Sequence, residues 1–403
     1  HLHLSDTSSF PLELLSERGR NVTKFGAFGP QKYFSVSDVK ELVSYATALG
    51  VRIVPEVDVP AHVNQGWQWG EAAGLGSLIV CGEGNWATQA LEPASGQLNL
   101  ANKNVYAVLD DVYTDIVGLF GSDLHHLGGD EVIVGDDTTW AACWNSTVAG
   151  APIVQFLESL GLDRHDPASF YALWANFTKL ASASVARAYA NAPATAPPLH
   201  RKIQWGGSET APSRITYNLL AQENVVEVLP PDEFVIEVWD QLEGTLAVGL
   251  LDKGYQVILA HTDYTYLDCG SSGWVQPGGY WCAPYHEWYK LYEYMNDVAS
   301  SWKMQVGELS TAGVVGSETL MWGEQVDEHN FDTKVWPRTA ALAEALWSNP
   351  TTGWYDADPR MQLHRERLVN RGGVQAEALQ AEWCLHNPHA CTLDSNNRPV
   401  VLE

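Results

Sequence analysis

Strand-like and helix-like patterns alternate along about 350 residues of this chain, and that alternation limits its fold more than any other feature. Residues 36–49 place Val39, Leu42, Val43, Ala46 and Leu49 at helical spacing, with Asp38 in the first turn and Gly50 at the end. A strand follows over 51–58. Residues 102–121 repeat the helical pattern through Val105, Val108, Leu109, Val112, Ile116, Leu119 and Phe120, and lead into a strand at 123–129. Further strands are expected at 202–207, 235–239, 256–261 and 314–321, with helices such as 167–192 and 241–253 between them. No Gly-x-Gly-x-x-Gly turn occurs. The expected class is therefore α/β, a (β/α)8 barrel rather than a dinucleotide-binding sheet.

With the short apolar start at His1–Leu4, seven strands are expected. The eighth, the first of the barrel, is expected to be absent from this chain, whose abrupt start at His1 reads as a fragment or a processed polypeptide. Residues 340–347 and 358–370 read as closing helices. The barrel is placed at 1–375 and a loop-like tail at 376–403.

At 403 residues the chain can bury a large core, and its formal charge of −26 makes nucleic acid and anionic membranes poor partners. No apolar run is long enough to span a bilayer. The six cysteines form no C-x-x-C pair, so neither a zinc site nor any other metal or cofactor is expected. Local pairing of Cys384 with Cys391 and of Cys269 with Cys282 is the simplest arrangement, and leaves Cys81 with Cys143. Sequons at Asn21, Asn145 and Asn176 are candidate glycosylation sites. With an even cysteine count they favour the secretory pathway, lysosomal or extracellular.

The chemistry is expected at the carboxyl ends of the strands. His126-Leu-Gly-Gly-Asp130-Glu131 closes the third strand with two adjacent acids behind two glycines. Alone, such acids read more readily as a solvated loop. The glycines shift the balance, because they let another group approach the backbone or let the chain bend. Asp6, Glu56, Asp58, His62, Trp205, Trp239, Tyr266, Asp268, Trp322 and Glu324 follow other strands. In a parallel barrel these ends share one face. Carboxylates with several indoles suit a sugar, although many of the 17 tryptophans are expected in the core. His125, beside His126 in a strand, faces the other way and reads as structural.

Two carboxylates of a retaining glycosidase usually stand about 5 Å apart across the scissile bond. Adjacent residues do not easily straddle a sugar ring. One of the pair can then be the acid while the other steers a nucleophile carried by the substrate, a 2-acetamido carbonyl oxygen.

These motifs resemble the family 20 β-N-acetylhexosaminidases, the group that includes lysosomal β-hexosaminidases. His126-x-Gly-Gly-Asp130-Glu131 matches the family signature. His3-Leu-Ser-Asp6-Thr-Ser-Ser-Phe10-Pro11, Glu56-Val-Asp-Val-Pro60-Ala-His62, Met321-Trp322-Gly323-Glu324 and Trp336-Pro-Arg338 resemble other barrel segments. The resemblance implies Glu131 as general acid and base and Asp130 as holder of the acetamido nitrogen. It implies Tyr266 as donor to the acetamido carbonyl and Trp205, Trp239 and Trp322 as walls. Asp6, Asp268 and Glu324 would bind hydroxyls, and His62 would stand behind the acid. Cys81–Cys143 and Cys384–Cys391 resemble family disulfides; Cys269–Cys282 does not.

The implied function is exo-acting, retaining removal of terminal non-reducing β-linked N-acetylhexosamine (GlcNAc or GalNAc) through an oxazolinium intermediate. The partners implied are an oligosaccharide or glycoconjugate, the missing N-terminal segment or a separate processed chain, and, since family members are often dimers, a second copy. The rivals are a catalytically inactive glycan-binding or structural subunit that kept the fold, and an endo-acting chitinase. The D-x-x-D-x-D-x-E pattern expected of the latter is missing.

Overall fold

The helical spacing at 102–121 produces a helix over Asn104–Phe120, and each of the seven apolar positions named above is buried. Each such side chain contributes about 1.5–3 kcal/mol of burial free energy. Gly121 ends the helix with φ 56°, its N–H closing on Val117. The computed structural model describes residues 1–207, 218–275, 282–306, 312–387 and 390–391. They fall into two compact units, 1–237 with 249–256, and 238–248 with 257–403.

In the first unit β1 (Leu2–His3), β2 (Pro55–Glu56), a separate antiparallel hairpin of β3 (Ile79–Val80) and β4 (Gln97–Leu98), β5 (Leu124–His126), β6 (Arg201–Gly206) and β7 (Phe234–Val238) follow one another along the chain. The main sheet runs β1-β2-β5-β6-β7. Its parallel register sets Leu2 opposite Pro55, Glu56 opposite His126 and Leu124 opposite Arg201. Backbone bonds from Val57 and Val59 to His126 and Leu127 carry the β2–β5 pairing beyond the ladder.

The helices of this unit include α1 (Glu17–Gly26), α2 (Val36–Ala48), α3 (Asn104–Phe120), α4 (Ala151–Ser159) and α5 (Pro167–Ala190). Ser35 and Asp38 form a capping box at the start of α2. The expected apolar stripe of α2 is only partly covered: Val39 and Ala46 are buried, while Leu42 and Leu49 are exposed. Leu42 borders an apolar cavity of about 390 Å³ that Leu2, Leu4, Leu12, Phe34 and Phe120 also line.

In the second unit β8 (Gln256–Leu259) pairs in parallel with β9 (Val314–Ser317), with a bulge between Val257 and Ile258. Its helices include α6 (Trp288–Val306), α7 (Arg338–Ser348) and α8 (Trp354–Arg367). Another helix, Leu246–Asp252, falls within the expected 241–253. The seven expected strands all form, and the architecture is the expected parallel α/β one of the (β/α)-barrel type.

All three expected disulfides form, Cys81–Cys143, Cys269–Cys282 and Cys384–Cys391, with Cα separations of 5.6, 4.9 and 5.7 Å. The last pins a short helix, Glu382–His386; residues 392–403 of the expected tail lie outside the described residues. No helix among the described residues is long and apolar enough to cross a membrane.

Candidate active site

Two glycines shape the end of β5. Gly128 has φ 63° and Gly129 φ 94°, conformations that disfavour any side chain. A Cβ on Gly128 would meet Asp58 Oδ1 at 1.8 Å, and one on Gly129 would meet Gln204 Nε2 at 2.9 Å. The chain thus bends and is approached closely at the same place. The approach is a bond: Gly129 N donates to Asp58 Oδ1 at 2.9 Å. Glu131 follows in the left-handed region at φ 49°. That costs a non-glycine about 1 kcal/mol or more and requires a surrounding that enforces it.

His62, also left-handed at φ 52°, joins the strand ends. Its Nδ1 lies 2.6 Å from Asp58 Oδ2 and its Nε2 lies 3.2 Å from Glu131 Oε2. Burial opposes a charge on this imidazole, but Asp58, Glu131 and Asp130 overcome it and hold the pKa well above the ordinary histidine value. As a cation His62 donates to both carboxylates. Asp130 Oδ1 is buried without a hydrogen-bond partner among the described residues, 3.8 Å from His62 Nδ1. Burial, Asp58 and Glu131 push the Asp130 pKa well up, against the pull of His62.

Asp6 belongs to a second network, reached through His3. His3 Nε2 lies 3.0 Å from Asp6 Oδ2, and His3 Nδ1 lies 2.7 Å from Glu56 Oε2. Burial raises the Asp6 pKa, but His3 and His62 more than offset it and the net shift is downward. Trp205, on β6, is 3% exposed and donates Nε1–H to Glu56 Oε1 at 2.6 Å. The first unit therefore brings Asp6, His62, Asp130 and Glu131 together, with Trp205 tied in through Glu56. His125 faces away, edge-on to Tyr113 at 5.1 Å, with burial lowering its pKa to about 3. In the sequence Asp58 and Glu56 read as strand-end acids in a family-like segment, and nothing local marks them as the hubs of two hydrogen-bond networks.

In the second unit Tyr266 and Trp322 come together, ring centroids 6.3 Å apart. Leu267 N donates to Leu320 O at 2.8 Å, and Leu320 N to Thr265 O at 3.0 Å, so the two segments are stitched by backbone. Arg338, 1% exposed, donates to Leu267 O at 2.7 Å and His286 O at 3.0 Å and covers the Tyr285 ring. It clamps the loop that carries Tyr266 and the buried Asp268. Trp239 is half-buried with Nε1 lacking a hydrogen-bond partner among the described residues, and Glu324 is exposed. Asp240, next to Trp239, is raised to about 7 by burial and by Asp263.

The three sequon asparagines differ in exposure. Asn145 is 7% exposed and its Nδ2, the atom that would carry a glycan, donates to Arg164 O at 3.1 Å. Asn176 is exposed on α5, and Asn21 is half-buried on α1.

The model of the glycosyl hydrolase family 20 catalytic domain matches residues 1–350. The chain belongs to that family. It is 37% identical over 393 residues to the chitooligosaccharidolytic beta-N-acetylglucosaminidase of Ostrinia furnacalis, covering 97% of this chain and 59% of that protein. It is 33% identical over 401 residues to the probable beta-hexosaminidase fdl of Drosophila melanogaster, covering 97% and 53%. The chain thus spans under two thirds of these family 20 relatives. A family 20 exo-beta-N-acetylglucosaminidase from Vibrio harveyi shares the fold at a TM-score of 0.66 and 20% identity, over 94% of this chain and 54% of that one.

Proposed function

We propose that this family 20 protein is an exo-acting, retaining β-N-acetylhexosaminidase that works through the substrate's own acetamido group. The observation that carries the reading is the Asp58–His62–Glu131 chain beside Asp130. Glu131, oriented by His62, protonates the leaving oxygen. Asp130, ionised, accepts the acetamido N–H and steers the carbonyl oxygen onto the anomeric carbon. The C–O bond to the aglycone breaks as the oxazolinium ring closes. Glu131 then removes a proton from water as water opens the ring, and the product keeps its β configuration. The adjacency of the two acids is awkward for a two-carboxylate scheme and suits this one.

By family resemblance Tyr266 donates to the acetamido carbonyl, Trp205, Trp239 and Trp322 pack on the substrate, and Asp6, Asp268 and Glu324 bind its hydroxyls. The substrate class is an oligosaccharide or glycoconjugate ending in N-acetylhexosamine. The names of the relatives support N-acetylglucosamine. The three disulfides support an oxidising compartment, lysosomal or extracellular.

The test is hydrolysis of p-nitrophenyl N-acetyl-β-glucosaminide by the full-length protein and by Glu131→Gln. An inactive parent contradicts the activity and favours the non-catalytic subunit. A mutant as fast as the parent contradicts the acid assignment.

A further inference from the structure

Glu56 is a buried carboxylate with several partners, and the scheme above gives it no role. It is fully buried, at 0% exposure. Oε1 accepts the Trp205 indole N–H at 2.6 Å and lies 3.2 Å from His126 Nδ1. Oε2 lies 2.7 Å from His3 Nδ1 and 3.0 Å from His1 Nε2. Two of these histidines pack on the indole: His126 is 4.8 Å from the Trp205 ring and His1 is 5.6 Å from it. On its backbone side Trp205 N donates to Gly128 O at 3.0 Å, two residues before Asp130. The indole is therefore fixed at three places, and its placement relative to the acid pair is built into the β5–β6 register.

We propose that Glu56 is a positioning residue that sets the plane of Trp205, and through it the fit of the substrate's 2-acylamino arm. The inference rests on the hexosaminidase reading, in which Trp205 walls that arm. Rotation of the indole about its side-chain bonds would strand its buried N–H, which a buried site resists. Burial opposes the Glu56 charge, but His3, His126 and His1 keep it ionised, and a charged acceptor makes the stronger bond to the indole.

The test compares kcat/KM for p-nitrophenyl β-glucosaminides bearing N-acetyl and N-propionyl groups, using the full-length protein. The parent is expected to prefer N-acetyl. Glu56→Ala is expected to lower that preference about tenfold, the scale on which a pocket discriminates one methylene, and to do so mainly through KM. Glu56→Gln, whose amide oxygen can accept the same N–H, is expected to restore most of it. A folded Glu56→Ala protein with the parental preference would overturn the inference. Where Glu56→Ala does not fold, Trp205 is replaced by β-(3-benzothienyl)alanine, which keeps the ring shape without the N–H. A lowered preference there supports the inference and a parental one overturns it. A parent that cleaves neither substrate overturns the hexosaminidase reading and this inference with it, an outcome distinct from an active parent insensitive to Glu56.

Discussion

Asp58 Oδ2 lies 2.6 Å from His62 Nδ1, and the opposite nitrogen of that ring lies 3.2 Å from Glu131. A single imidazole thus couples the end of β2 to the acid at the end of β5. In the proposed mechanism His62 does not touch substrate; it fixes which oxygen of Glu131 faces the glycosidic bond.

His62→Gln is expected to lower kcat by about 10²-fold on substrates with poor leaving groups, at the low end of what acid catalysis supplies. The loss is expected to shrink with p-nitrophenol, which departs with little protonation. Steady-state kinetics across a series of leaving groups checks this. An equal loss for all leaving groups would remove His62 from the acid's support.

Asp130 carries a trade-off between function and stability. Its folded-state pKa is raised, so the folded protein holds this proton to higher pH than the unfolded chain does. Its contribution to stability is fully present below the ordinary carboxylate range, about pH 4, and is lost as pH rises through the raised folded value. Asp130→Asn is therefore expected to raise Tm at neutral pH while lowering kcat/KM by about 10²-fold or more. In the parent, the acid limb of kcat/KM is expected above the ordinary carboxylate range, because the ionised form accepts the amide N–H. Melting curves and a pH–rate profile check both halves.

Gly128→Ala is expected to cost about 4 kcal/mol or more, or to prevent folding. The new Cβ would lie 1.8 Å from Asp58 Oδ1 on a backbone at φ 63°. Denaturant unfolding of the variant, with Gly118→Ala as a control on α3 where the added carbon meets nothing within 4 Å, separates this clash from a general loss of glycine.

Much of this was legible along the chain because it is local. The periodicity of α3 names its buried face, and the Gly-Gly-Asp-Glu segment announces a bend with acids after it. What could not be read was either weakly patterned or long-range. The α1 segment is largely polar, with Val22 and Phe25 its only large apolar residues. The β3–β4 hairpin has two residues per strand, too few for a period to show. The Glu56–Trp205 bond joins residues 149 apart, and the Asp58–Gly129 bond joins residues 71 apart. Such pairings depend on sheet register, which short strands do not specify from sequence. Asn145 shows the converse: its sequon is plain, but only the fold buries the nitrogen that a glycan would need.

The central claim is that the substrate supplies its own nucleophile. It is tested most directly by the ratio of kcat/KM for p-nitrophenyl N-acetyl-β-glucosaminide to that for p-nitrophenyl β-glucoside, measured on the full-length protein. The two differ only at C2, where the glucoside has a hydroxyl and no carbonyl oxygen. The predicted ratio is at least about 10³, a modest share of what a well-placed intramolecular nucleophile supplies. Comparable turnover of the two would contradict the account.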